Sequence, residues 1–311
     1  MSAFTEIPVI DFDGFDQDPS RQHAIAETVD TALSEVGFMA VRNLGIPDHM
    51  LHAVFQQSRR FFATSSNEKQ RCGYRSASDN FGYQGVAQEN LDPTAPGDLK
   101  ETFTMRNLVH RAPETSRWPS MEFGQLMTDF YAVCLTASFR IMRALTLALN
   151  TDTDFFERCH SGENVTLRLL HYPPVDDGAV TAGQLGAGAH SDYGLLTLLF
   201  QNGVSGLEVQ TDQGAWVPVA ATEGDIVINA GDLLEVWTNG RYRSTQHRVQ
   251  PRYGEQVRQS IALFVDPDSA TEVAALPSCV SAANPARFAP TSAGAHLQKK
   301  IEASHKKRFE A

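Results

Sequence analysis

The sequence predicts an α+β fold within a single domain, residues 1–311. It divides into a mainly helical N-terminal region over 1–160, a β-rich core over 161–270 and a helical C-terminal segment over 271–311. Two observations predict this order. Before Gly162, apolar residues recur at helical spacing. After it come short β-like runs separated by turn signals: Asn202-Gly203, Asp212-Gln213-Gly214, Glu223-Gly224 and Asn239-Gly240. Many short strands with regular turns indicate a sandwich or barrel. The chain, 311 residues long, can bury a sizeable core and carries no internal repeat or low-complexity tract.

Taken in order, Ile7-Pro8-Val9-Ile10-Asp11 reads as a short strand. Asp18 caps a helix with Pro19 at its first position and Gly37 at its end, with Ile25, Val29, Leu33 and Val36 on one apolar face. Phe38 to Val41 is a strand, and Pro47 opens a second helix with Leu51, Val54, Phe55, Phe61 and Phe62 as core residues. Cys72 to Pro119 is irregular and rich in Gly and Pro. A long helix runs from about Phe123 to Leu149, burying Leu126, Phe130, Val133, Ile141, Leu145 and Leu149. The β runs are Val165–Tyr172, Gly194–Phe200, Leu207–Gln210, Trp216–Val219, Asp225–Asn229, Gln246–Val249 and Val257–Val265. Ala293 to Phe309 is helical, and its Lys299, Lys300, Lys306, Lys307 and Arg308 form a solvated basic face.

Composition narrows the partners. A hydrophobic fraction of 42% and a charged fraction of 20% are those of a soluble globular protein. The formal charge of -11 argues against sequence-independent binding to nucleic acid, which needs Lys and Arg to replace counterions. It leaves room for acidic small molecules, because one local Arg can bind a carboxylate. No stretch reads as a bilayer span, and Met1 to Glu6 lack the basic and apolar runs of a signal peptide, so a cytoplasmic protein is expected. Cys72, Cys134, Cys159 and Cys279 are scattered without a CxxC pair and are read as reduced and structural.

The chemistry concentrates between His190 and Ser260. Residues i and i+2 of a strand point the same way, so His190 and Asp192 can reach one ion from a strand end, with His247 supplied by another strand. Two His and one carboxylate on one face of an octahedron leave three positions open, the arrangement of non-haem iron(II) enzymes. Alone, HxD is a weak motif, and the bland alternative is a surface His beside a solvated Asp. The context adds weight. Thr197 and Leu198 follow in a β run, Gly224-Asp225 and Gly231-Asp232 mark turns, and His247 lies 57 residues after His190. Arg258 and Ser260 follow that His at 11 and 13 residues.

These residues resemble the isopenicillin N synthase-like iron(II)/2-oxoglutarate-dependent oxygenases over nearly the whole chain. Ile7-Pro8-Val9-Ile10-Asp11 is similar to that family's opening strand. Gly37-Phe38 and Asn43-Leu44-Gly45-Ile46-Pro47 resemble its next strand and helix start, and Lys100-Glu101 a pre-helix pair. His190-Ser191-Asp192-Tyr193-Gly194-Leu195-Leu196-Thr197 and Gly206-Leu207-Glu208-Val209 are close to its central signature. The resemblance implies a double-stranded β-helix (jelly-roll) core holding the iron site, with N-terminal helices packed against it. It implies Fe(II), with 2-oxoglutarate and O2 as cosubstrates. The implied reaction oxidises a small-molecule substrate, by hydroxylation, desaturation or ring formation, and releases succinate and CO2. It also implies that Arg258 and Ser260 bind the distal carboxylate of 2-oxoglutarate, in keeping with the pairing of a guanidinium fork and a hydroxyl with a carboxylate. Where the family often has Asn-Tyr-Tyr-Pro, this chain has Leu170-His171-Tyr172-Pro173. Tyr172 keeps the tyrosine that often contacts that carboxylate, whereas His171, its strand neighbour, points to the opposite face.

Two other functions stay open at this point: a same-fold iron oxidase that uses O2 without 2-oxoglutarate, and a non-catalytic jelly-roll binding protein. The substrate pocket is expected to be roofed by the irregular stretch around Phe81, Tyr83, Phe103 and Arg106, since loops on a rigid scaffold usually set substrate choice. The alternative is that these aromatics pin the loop to the core. Arg106 hints at an anionic substrate.

Overall fold

The computed structural model describes residues 4–92, 94–110, 114–176, 178 and 180–309, without the side chains of 115 and 303–309. The expected basic face at Lys306, Lys307 and Arg308 therefore lies outside the described side chains.

The first half begins with strand β1 (Val9–Asp11), helix α1 (Pro19–Glu35), strand β2 (Phe38–Arg42), helix α2 (Asp48–Phe62) and helix α3 (Ser66–Arg71). It continues through β3 (Gly82–Gln84) and β4 (Glu101–Arg106) to the long helix α4 (Met121–Ala148) and the short α5 (Phe155–Arg158). Then come β5 (Thr166–Tyr172), β6 (Ala187–His190), β7 (Leu196–Gln201), β8 (Leu207–Gln210), β9 (Trp216–Pro218) and β10 (Ile226–Ala230). Helix α6 (Asp232–Trp237) precedes β11 (His247–Val249) and β12 (Arg258–Val265), and the chain closes with β13 (Glu272–Val273), β14 (Thr291–Ser292) and α7 (Ala293–Phe309).

Local signals explain the helix ends. Asp18 caps α1 by accepting from the Ser20 amide at 2.8 Å, and Pro19 needs no amide partner at the first position. Gly37 ends that helix region at φ 78°, where a Cβ would also run into the Arg243 carbonyl. Ser120 caps α4 by accepting from the Phe123 amide at 3.1 Å, which starts the helix slightly earlier than expected.

Two sheets face each other. The larger has the order β1-β2-β10-β7-β12-β5-β4-β3, and the smaller β6-β11-β8-β9. Strand alternation splits the apolar residues into two cores. Leu167, Leu169, Ile261 and Leu263 point out of the larger sheet onto the helices, where Phe130 of α4 meets Phe200 of β7 at 5.5 Å. Leu170, Tyr172, Val227 and Ala262 point the other way and join Leu207, Val209 and Val249 of the smaller sheet. The cavity lies between the sheets.

Several expectations need correction. The N-terminal region supplies the two expected strands, β1 and β2, to one edge of the larger sheet, and two that were not expected, β4 and β3, to the other. The stretch read as irregular contains β3 and β4, and Lys100-Glu101 leads into a strand rather than a helix. The signal there is weak because β3 is short and β4 is buried on both faces, Thr102 and Thr104 on one and Phe103 and Met105 on the other, so it lacks the polar–apolar alternation of a half-exposed strand. Helix α6 replaces the turn expected at Gly231-Asp232, and α3 has no counterpart among the expected elements. Helix α4, with 28 residues, is long and apolar enough by length and composition to cross a membrane, contrary to the expectation that no stretch is. It is this apolar because α1, α2 and the larger sheet all pack against it and bury most of its apolar stretch.

Candidate active site

The two histidines arrive by sheet register. His190 ends β6, His247 opens β11, and the antiparallel pairing sets them opposite each other with ring centroids 4.3 Å apart. Asp192 follows two residues after His190. Its Oδ1 lies 3.8 Å from His190 Nε2 and 3.7 Å from His247 Nε2. Its Oδ2 accepts from Thr197 Oγ at 2.5 Å and from Asn229 Nδ2 at 2.7 Å, which fixes the carboxylate and leaves Oδ1 for the imidazoles' side. His190 Nδ1 lies 2.7 Å from the Gly188 carbonyl and His247 Nδ1 3.3 Å from the Thr245 carbonyl. A carbonyl only accepts, so each Nδ1 donates and each Nε2 presents a lone pair. Phe38 adds an edge contact to the His247 ring at 5.4 Å.

Electrostatics fit a metal. Burial, then the neighbouring His247, pulls His190 down to about 3, keeping it neutral. Burial alone would push the Asp192 carboxyl up, but the two imidazoles and the Thr197 and Asn229 donors outweigh it and hold it below the usual carboxylate range. Neutral imidazoles and an ionised carboxylate are the states in which these groups bind a metal. One donor atom from each of the three residues lies within 4.8 Å of the others, compatible with a 2-His-1-carboxylate face.

Further along the same cavity, Arg258 stands across from Tyr172 in the β12–β5 register and Ser260 across from Leu170. Arg258 is 1% exposed. Its Cζ lies 4.6 Å from the centroid of the Tyr172 ring, Nη1 donates to Ser260 Oγ at 3.4 Å and Nη2 to Gln201 Oε1 at 3.1 Å. Nε is buried without a partner. Among the described residues no carboxylate forms an ion pair with Arg258, and burial pulls its pKa below the ordinary value, with Tyr172 opposing. A buried guanidinium without a counter-charge is costly on its own and calls for an anion.

A second set of charges lines the cavity and is already neutralised. Glu89 pairs with Lys100 at 3.1 Å and with Arg168 Nη1 at 3.0 Å, and Lys100 also pairs with Asp98. Asp266 lies in the cavity wall, and burial pushes its carboxyl up to about 7, opposed by Arg106 and assisted by Asp192.

Of the residues expected to roof the pocket, Phe81, Tyr83, Phe103 and Arg106 do not line this cavity. Parity on β4 explains it: Thr104 faces the cavity while Phe103 turns to the helices, where it meets Phe61 at 5.0 Å and Phe123 at 5.5 Å. Tyr83 donates to Glu101 Oε2 at 2.5 Å, Phe81 stacks edge-on against Trp118 at 5.0 Å, and Arg106 is bound to Asn164. Phe81 and Arg106 instead line a separate polar depression with Asp79 and Arg117. The pinning alternative therefore describes the three aromatics. His171 does face away from Tyr172: its Nδ1 meets Glu101 Oε1 at 2.9 Å, and its ring stacks on Phe62 at 5.1 Å. Sequence reasoning missed Asn229, Arg168, Glu89, Lys100 and Asp266 as cavity residues. For Asn229 and Arg168 the signal is a polar residue at a cavity-facing position of an apolar strand, as with Arg168 between Leu167 and Leu169; Glu89, Lys100 and Asp266 lie outside the strands and carry no such signal.

Comparison with known proteins agrees with this geometry. The profile of the 2OG-Fe(II) oxygenase superfamily matches residues 163–267, and that of the N-terminal region of non-haem dioxygenases in morphine synthesis matches residues 7–122. Proline hydroxylase buaE of Petromyces alliaceus is 32% identical over 300 residues, spanning 91% of this chain and 94% of its own. Homoarginine-6-hydroxylase 2-ODD-C23 of Glycine max is 32% identical over 323 residues, spanning 96% and 97%. The crystal structure of a full-length Neurospora crassa protein in complex with alpha-KG and thymine superposes with a TM-score of 0.87 at 29% identity, covering 96% of each chain. The chain belongs to the 2OG-Fe(II) oxygenase superfamily. It is an iron(II)- and 2-oxoglutarate-dependent dioxygenase with the double-stranded β-helix fold, using Fe(II), 2-oxoglutarate and O2 on a small-molecule substrate.

Proposed function

We propose that His190, Asp192 and His247 hold the iron, that Arg258, Ser260 and Tyr172 bind the distal carboxylate of 2-oxoglutarate, and that the enzyme hydroxylates its substrate. The observation that carries this reading is Arg258: a buried cation without a carboxylate partner, in the cavity that the histidine–aspartate set also lines. The names of the proline and homoarginine hydroxylases support hydroxylation as the outcome. The reading also places the enzyme in the cytoplasm, acting on a free small molecule rather than on nucleic acid or a membrane; the charge of -11 supports the part about nucleic acid.

Bound iron(II), with 2-oxoglutarate and O2, supplies the oxidising chemistry, and succinate and CO2 are the coproducts. The chain's own part is positioning. Thr197 and Asn229 lock one oxygen of Asp192 so that the other faces the metal position. The Gly188 and Thr245 carbonyls orient the two rings. Arg258 offers a planar fork to a carboxylate, and Leu199, Leu207, Val249, Ala262 and Phe264 line the cavity with apolar surface that excludes water.

The test is succinate formation by the purified enzyme across a substrate panel, with mass spectrometry of the products. Succinate that requires both Fe(II) and 2-oxoglutarate, with one oxygen atom gained by the substrate, is expected. Turnover without 2-oxoglutarate, or a product that has only lost hydrogen, contradicts the reading.

A further inference from the structure

Among the described charged residues that line the cavity, two have no opposite charge in contact: Arg258 and Asp266. Glu89, Lys100 and Arg168 satisfy one another, and Asp192 faces the two imidazoles. Arg258 is accounted for by an incoming anion. The same reasoning applied to Asp266 calls for an incoming cation.

Its placement singles out the prime substrate as the source. Arg258, Ser260, Ala262, Phe264 and Asp266 are the cavity-facing positions of β12 and the residue after it, so the two unpaired charges stand at opposite ends of one row. Thr197, which holds Asp192, pairs with Phe264 in the β12–β7 register. Asp266 is one cavity-facing step, roughly 7 Å along the strand, beyond that level and on the far side of it from Arg258. The carboxylate is seated against Gly194, two residues after Asp192, where any Cβ would collide with its Oδ1. Arg106, the cation that acts on Asp266 through space, is bound to Asn164 and stays outside the cavity lining. The cavity lining also includes Thr166, Phe264, Tyr193 and Ile301, and among the described side chains no Lys or Arg is paired with Asp266.

We propose that Asp266 anchors a protonated nitrogen of the prime substrate, so that the enzyme acts on small amines, guanidines or amino acids. A half-buried carboxylate forms its strongest hydrogen bonds to a charged donor, and a cation is the group that removes the charge imbalance left at this end of the cavity. This inference rests on the iron and 2-oxoglutarate assignment above, which places the oxidation between the two unpaired charges.

The test uses the anaerobic holoenzyme with Fe(II) and 2-oxoglutarate and reads binding by calorimetry. The probes are matched pairs that differ in a protonated nitrogen: L-lysine against L-norleucine, L-arginine against L-citrulline, and pyrrolidine against tetrahydrofuran. Wild type should bind the charged member of at least one pair about tenfold or more tightly, the effect of one charge-assisted contact. Asp266→Asn should erase that preference and Asp266→Glu should retain a preference for the charged member. Wild type that binds no charged probe more tightly than its neutral partner overturns the proposal, as does a preference that survives Asp266→Asn. The weak visible band of the iron–2-oxoglutarate complex is recorded in the same samples: its absence in wild type defeats the iron and 2-oxoglutarate assignment, whereas its presence without charge preference defeats only the role of Asp266.

Discussion

Arg168 and Arg258 enter the same cavity from neighbouring strands, β5 and β12, and differ in what they find there. Arg168 meets Glu89 Oε1 at 3.0 Å and Thr104 Oγ at 3.0 Å. Burial alone would lower its pKa, but Glu89 more than compensates and holds it above the ordinary value. Arg258 meets only neutral groups, and its pKa falls. One arginine is paired within the wall, and the other has no counter-charge among the described residues. Burial by itself does not distinguish a structural charge from a binding charge; the presence or absence of a counter-charge does.

The largest expected effect breaks the satisfied side. Glu89→Ala leaves Arg168 without its ion partner and Lys100 with Asp98 alone, which should cost about 3–5 kcal/mol of stability. Urea denaturation measures it, and Arg258→Ala in the same assay without 2-oxoglutarate should lose less. The second effect concerns function. Arg258→Ala should weaken 2-oxoglutarate by about 2–5 kcal/mol, an apparent KM raised about 30-fold or more, while Fe(II) still binds. Steady-state succinate release gives the KM, and an equal rise for Arg168→Ala would erase the distinction between the two arginines.

Smaller changes sharpen the same contrast. Ser260→Ala removes a neutral hydroxyl near Arg258 and should cost about 0.5–1.5 kcal/mol of 2-oxoglutarate binding, a KM shift of several-fold in the same direction. His171→Ala should leave iron affinity unchanged in a metal titration, because His171 packs on Phe62 and Glu101 behind the sheet. Loss of iron in that variant would contradict the register.

Much of this was legible in the sequence. His190, His247, Arg258, Ser260 and Tyr172 sit in strands, Asp192 lies just beyond the end of one, and the structure brings all six to one cavity. The substrate wall was far less legible. Phe81, Tyr83 and Phe103 look like pocket aromatics because they fall in a Gly- and Pro-rich stretch, yet β3 and β4 turn them into the helix-side core. Glu89, Lys100 and Arg168 are ordinary charges until register places them together, and Asp266 stands out only because Gly194 leaves room for it.

The central claim is that one cavity holds an iron position and an anion position built from separate residues. Anaerobic titration followed by visible absorption tests it most directly, with Fe(II) and 2-oxoglutarate added singly and together to wild type, Asp192→Ala and Arg258→Ala. Wild type should show a weak band only with both components, Asp192→Ala should show none, and Arg258→Ala should recover it at 2-oxoglutarate concentrations about 30-fold or more higher. A band of wild-type strength in Asp192→Ala, or one in Arg258→Ala that saturates at the wild-type concentration, would contradict the assignment.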